Sequence, residues 1–170
     1  ETVNENVAIT AIDANDGGDD LDFDGDTITY TCFYDTTSNG AVAETTACTT
    51  LSGVSFTGAT GAFTWTPSFA QAGVYEFMIK GSEGDLSDTE LFVITVTNVD
   101  QAPVLAAIAD ETVNENVAIT QVNANDGGDD LDVDGDTISY QCWYDTSNNA
   151  SVAETTLCTA LTGVAFNTTT

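Results

Sequence analysis

The clearest order in the chain is an alternation of apolar and polar positions with a period of two. Across Thr27–Tyr34 one face carries Ile28, Tyr30, Cys32 and Tyr34, and the other carries Thr27, Thr29, Thr31 and Phe33. That period is the mark of a half-buried β-strand. The stretch returns at Thr137–Tyr144, where Ile138, Tyr140, Cys142 and Tyr144 are kept and Ser139, Gln141 and Trp143 are the replacements. All three replacements fall on one face, so the Ile/Tyr/Cys/Tyr face is the core side. The same logic turns Phe63 and Trp65 inward, then Tyr75, Phe77 and Ile79, then Phe92, Ile94 and Val96. Gly61, Gly73, Gly81 and Gly84 punctuate these strands, and abundant Thr suits strand surfaces. No stretch carries a helical period. The pattern predicts an all-β chain of antiparallel two-sheet sandwiches, with about seven strands in each.

The alternation sits inside a longer period. Glu1–Thr10 recurs letter for letter at Glu111–Thr120, and Glu1–Thr60 shares 42 of 60 positions with Glu111–Thr170. The repeat is therefore 110 residues long, which suits a string of sandwich domains better than a small solenoid unit. The 170 residues read as a window on a longer tandem array, starting and stopping out of phase with its domains. A polar, Pro-terminated stretch, Thr97–Val104, marks the boundary. Residues 1–102 are expected to form the first repeat, lacking its opening strand. Residues 103–170 form the N-terminal part of the next, and Val104–Ala109 is its opening strand.

Composition narrows the chemistry. There are 28 Asp and Glu, one cation (Lys80) and no His, for a formal net charge of -27. Nucleic acid and anionic membrane surfaces need cations that the chain lacks. No apolar run approaches the ~20 residues of a membrane span. Catalysis through His or an activated Lys has almost nothing to work with, and no enzyme is expected. Yet 42% of residues are hydrophobic, so a core can form. Lys80 reads as a strand-edge charge, with an isopeptide partner as the less favoured role.

Much of the charge is local. Asp16, Asp19, Asp20, Asp22, Asp24 and Asp26 fall within eleven residues, and Asp126, Asp129, Asp130, Asp132, Asp134 and Asp136 repeat them. Like charges this dense would force a bare loop open. A hard divalent cation reverses the problem, and Asp20-x-Asp22-x-Asp24-Gly25 resembles the opening of a calcium loop. The twelfth position is Thr31 and a strand follows, so this is no EF-hand. Magnesium demands a strict octahedron, and zinc would want His or Cys. Calcium is the expected cofactor. A solvated acidic loop is the alternative.

Val3–Asn6, Asp13–Asp16, Asp24–Tyr30, Gly61–Pro67 and Asn98–Pro103, in this order and spacing, resemble the cadherin-like, immunoglobulin-like tandem repeats of large secreted bacterial adhesins and surface fibres. The resemblance covers essentially the whole chain. It implies tandem immunoglobulin-like (cadherin-like) β-sandwiches stiffened by calcium at their junctions. Carried over, Glu5 and Glu115 match the ligand near the domain start. Asp13 and Asn15, with Asn123 and Asn125, match the early loop, and Asn98, Asp100 and Gln101 match the linker. The linker offers fewer carboxylates than the family pattern, Asn123 replaces an acid, and the Asp-Arg-Glu element is absent. A junction site here is expected to bind more weakly than the Asp16–Asp26 loop.

Four cysteines allow three pairings, and the repeat favours Cys32–Cys48 and Cys142–Cys158 within domains. Buried thiols and a cross-link between chains are the alternatives. Disulfides would place the chain outside the cell. Asn149-Ala150-Ser151 and Asn167-Thr168-Thr169 are candidate glycosylation sequons that the first copy lacks. Two functions fit. One is a structural, calcium-stabilised module of a prokaryotic extracellular fibre or giant adhesin, whose partners are neighbouring copies of the repeat. The other is a carbohydrate-binding accessory of a secreted polysaccharide-active enzyme, touching surface glycans through loop calcium and through Phe33 and Trp143 on the non-core face.

Overall fold

The computed structural model describes residues 1–170 apart from 16, 17, 19, 120, 126, 127, 129, 148–150, 169 and 170. Asp16, Asp126 and Asn149, named above as candidate sites, lie outside the described residues. The chain divides into two compact units, Glu1–Asp100 and Gln101–Thr170.

Unit 1 is an all-β sandwich. Its strands are β1 (Thr2–Asn4), β2 (Ile9–Asp13), β3 (Thr29–Asp35), β4 (Val54–Thr57), β5 (Ala62–Trp65), β6 (Gly73–Glu83) and β7 (Leu86–Thr97). One sheet has the order β1-β7-β6-β3 and the other β2-β5-β4. Most neighbours are antiparallel, but β1 runs parallel to β7, with Thr2 opposite Thr95 and Asn4 opposite Thr97. β6 and β7 form a long hairpin in which Glu83 pairs with Leu86. The two residues between them are Gly84 and Asp85, and Gly84 takes φ 50, the positive value that a tight two-residue turn requires.

The expected inward faces form the core. Phe63, Trp65, Phe77 and Ile94 are fully buried, with Tyr30, Cys32, Tyr75, Ile79 and Val96 packed around them. Ile28, Tyr34 and Phe92 pack against this core half-buried. Aromatic rings join the sheets: Phe77 of β6 meets Phe63 of β5 edge-on at 5.0 Å and stacks on Phe92 at 5.2 Å, while Trp65 meets Tyr75 at 4.8 Å.

The outer face of β3 and β6 is covered as well. Between β3 and β4 the chain folds back: Ala47 bridges to Phe33, Val42 is buried, and so is Met78 on β6. Glu76, only 6% exposed, accepts the N–H groups of Asn39 and Gly40, both at 2.8 Å. Lys80 Nζ holds Glu44 at 2.8 Å, so the lone cation is a strap on this cover. Phe33 is half-buried beneath it; its counterpart in unit 2, Trp143, is also half-buried and bridges to Leu157.

Both expected disulfides are present, Cys32–Cys48 and Cys142–Cys158, each with Cα atoms 5.4 Å apart. The first ties β3 to a short 3-10 turn, Cys48–Thr50. Unit 2 keeps the equivalent turn, Cys158–Ala160, and buries Tyr140 and Cys158. Among its described residues it has isolated bridges rather than strands. The ladder partner of β3 is β6, and residues 101–170 contain no counterpart of it.

Each disulfide closes a loop with a sequence separation of 16. Replacing Cys32 and Cys48 by Ala should therefore cost about 3 kcal/mol of stability. Urea unfolding of the oxidised chain and the double variant, followed by tryptophan fluorescence, measures it.

Candidate metal centre

The acid-rich loop is the crossing from β2 in one sheet to β3 in the other. Its geometry is set by one side chain. Asp22 Oδ1 accepts the backbone N–H groups of Asp24 (3.0 Å), Gly25 (2.6 Å) and Asp26 (3.0 Å). That wrap needs a reversal of the backbone at Gly25, which takes φ 89. Unit 2 repeats it: Asp132 Oδ1 accepts the N–H groups of Asp134 and Asp136, each at 3.0 Å, and Gly135 has φ 81.

The loop does not act alone. Asp22, Asp24 and Glu83 each bring a carboxylate oxygen to within 4.8 Å of the others. Glu83 ends β6, and the pairing of Thr29 with Ser82 delivers it to the loop that precedes β3. In unit 2 the equivalent trio is Asp132, Asp134 and Asp136. Asp26 therefore differs from its copy: its carboxylate lies outside the unit 1 trio. It lines an adjoining hollow of about 350 Å3 with Asn15, Asp20 and Asp22. Asp20 is engaged by the Tyr30 hydroxyl at 2.7 Å, and Asp130 by the N–H of Ala106 at 2.7 Å.

The junction residues divide differently. Glu5 is 2% exposed, and its Oε2 accepts the N–H of Val99 at 2.8 Å. Asp13 Oδ1 accepts the N–H of Asn15, and Asn123 Oδ1 that of Asn125, so both copies turn the early loop alike. Asn98 Nδ2 donates to Asp100, and the Gln101 N–H donates to Asp134. Glu115 is exposed, unlike Glu5. The residues that cover Glu5, around Thr97 and Val99, have no counterparts within the 170 residues. Asn167 is exposed.

Buried oxygens without a hydrogen-bond donor gather on these side chains. They include Glu5 Oε1, Asn15 Oδ1, Glu83 Oε2, Asp130 Oδ2 and Asp134 Oδ1. Four of the five belong to residues that the sequence singles out as ligands. Glu83 is the one it does not mark, because nothing local distinguishes it from an ordinary acid before a hairpin. Only the β3–β6 register connects it to the loop. These oxygens are hard donors, several of them charged, and that is the donor set calcium takes.

The family model described as Putative Ig domain matches residues 2–97. No curated protein and no solved structure matches the chain significantly. Among the described residues no helix is long and apolar enough to cross a membrane.

Crowding splits the acidities of the trio. The hydrogen bond with Asp24, then the N–H of Asp26 and the hydrogen bond with Glu83, hold the Asp22 carboxyl well below the usual range. The same contact with Asp22 pushes Asp24 up. Glu83 is pushed up to about 7, first by its hydrogen bond with Asp22, then by burial and the neighbouring negative charges. Glu83 thus holds its proton more tightly in the fold than in the unfolded chain. Without metal, its contribution to stability is full below the ordinary value of 4.5 and is lost as the pH rises through about 7. Glu83→Gln should flatten that part of the pH dependence. Thermal melts in chelator between the two values, wild type against variant, read the difference.

Proposed function

The chain belongs to the Putative Ig domain family, and on that premise we propose that it is a structural, calcium-stabilised repeat module. In this reading cadherin-like units are strung in tandem in a prokaryotic extracellular fibre or giant adhesin, and the role is mechanical rather than catalytic. A disulfide-closed Ig sandwich fits an oxidising, extracellular setting. The observation that carries calcium is the set of buried, donorless oxygens on Asn15, Glu83, Asp130, Asp134 and Glu5. A buried carboxylate oxygen with no donor is costly, and a divalent cation offsets that cost for several at once.

Two sites in unit 1 follow. The first is the sheet-crossing loop, where Asp22, Asp24 and Glu83 would supply the charge and Asn15, Asp20 and Asp26 line the adjoining hollow. The second is the junction, where Glu5 Oε1 is free beside Val99 and the Asn98–Asp100 linker. The carbohydrate-binding alternative relies on Phe33 and Trp143. Both are half-buried under their own repeat, which leaves little ring face for a sugar.

Calcium titrated into the chelator-stripped chain should release or absorb heat and raise the melting temperature. Asp22→Asn combined with Glu83→Gln should weaken the loop site about tenfold or more, because it removes two of the trio's charges. No heat and no thermal shift at a calcium concentration of about 10⁻³ M, the range of extracellular modules, would sink the proposal.

A further inference from the structure

Asn39-Gly40 is the single Asn-Gly step in the 170 residues. In such a step the backbone nitrogen of the glycine can attack the side-chain carbonyl carbon of the asparagine, because no β-carbon crowds the approach. The step lies in the cover over β3 and β6, in a turn where Ser38 has φ 50 and Gly40 has φ 76. A β-carbon on Gly40 would meet nothing within 4 Å, so glycine answers the backbone angle there and not a packing constraint. Asn39 and Gly40 are both exposed, so water reaches them.

Ring closure at this step has two needs, and the fold has a group at each. The attacking nitrogen must give up its proton. Gly40 N–H donates to Glu76 Oε1 at 2.8 Å, so a carboxylate already holds that proton. Glu76 is 6% exposed, and its Oε2 accepts the Asn39 N–H, also at 2.8 Å. The carboxylate is thus fixed by both N–H groups and has little water to compete for it. The carbonyl under attack must also take up negative charge on its oxygen. Asn39 Oδ1 accepts the Ala41 N–H at 2.9 Å, so a donor is aimed at the atom where that charge develops. The same contact curls the Asn39 side chain over the Gly40 peptide, which keeps nucleophile and carbonyl within one small turn.

We propose that Asn39-Gly40 is a self-modifying site, with the buried Glu76 carboxylate as its base. Glu76 takes the Gly40 proton as Gly40 N bonds to Asn39 Cγ. The Cγ–Nδ2 bond breaks, and the amide nitrogen leaves with that proton as ammonia, so a succinimide remains. Water then opens the imide at either carbonyl, giving aspartate or an isoaspartyl linkage. The reaction needs only water, and it does not depend on calcium. Its product loosens the contact that made it. The imide nitrogen carries no hydrogen, so Glu76 loses one of its two donors while still buried. Ring opening restores that hydrogen but adds a second carboxylate beside Glu76. The change is one-way and leaves the cover held less firmly. The repeat supplies a contrast, because the copy of the step is Asn149-Ala150, whose methyl group crowds the approach.

Incubation of the 170-residue chain in heavy-oxygen water at neutral pH, followed by proteolysis and mass spectrometry, is the test. Acid formed during the incubation carries the heavy oxygen and is told apart from acid already present. Asn39 in the folded chain should convert about tenfold or more faster than in a free peptide of residues 36–43, the acceleration that a positioned base supplies. Glu76→Gln keeps the shape of the side chain but not the base. It should slow the folded chain to the peptide's rate or below, and circular dichroism checks that the variant is folded. Asn149 should lag behind Asn39, and the converted chain should melt at a lower temperature than the amide form. A folded wild-type chain that converts no faster than the peptide overturns the proposal, and that comparison needs no variant. A folded Glu76→Gln chain that converts as fast as wild type overturns it as well.

Discussion

The two sheets of unit 1 are joined by packing between their inner faces, and that packing turns on Phe77. Its ring lies against Phe63 and Trp65 from the opposite sheet and against Phe92 beside it. Such aromatic pairs contribute about 0.5–1.5 kcal/mol each beyond their area burial. Other features depend on this seam. Cys48 is fully buried, and the bridge to Cys32 keeps the edge strand β3 in line with the core. The sheet-crossing loop is anchored at its two ends by strands of the two sheets that this packing joins.

Against that packing stands electrostatic repulsion. A net charge of -27 spread over a small chain favours expansion. The fold answers it in three ways. One acid is neutralised directly, Glu44 by Lys80. Glu76 and Asp22 are built into the backbone as acceptors for two and three N–H groups. The rest of the crossing loop meets Glu83 in a cluster whose protons are shared unequally. The first two need nothing from outside. The third is where an external cation would have most to gain.

Legibility followed the physics of each feature. Period-two faces report burial directly, so Phe63, Trp65, Tyr75, Phe77, Ile94 and Val96 could be placed inside from the letters alone. The cysteine pairs followed from the repeat, because like positions in two copies must find like partners. Glu76 and Glu83 were not readable. Both lie on β6, and both owe their roles to segments far away in sequence, Asn39–Gly40 and the loop at Asp22. Long-range register decides such contacts, and no local pattern encodes it. The same limit applies to Asp26 and Asp136, identical in the sequence repeat: Glu83, from β6, completes the unit 1 trio, and residues 101–170 contain no counterpart of β6.

The direction of β1 has a mechanical consequence. β1 and β7 are parallel neighbours and hold the two ends of unit 1, with Thr2 opposite Thr95. Tension applied between Glu1 and Thr97 pulls these strands along their length in opposite senses. The hydrogen bonds between them, Glu1 to Val93, Thr95 to Glu1 and Glu5 to Thr97, then carry the load together instead of opening one after another. An antiparallel terminal pair joined at one end would unzip. Three residues of strand, placed in this orientation, act as a clasp across the ends of the sandwich.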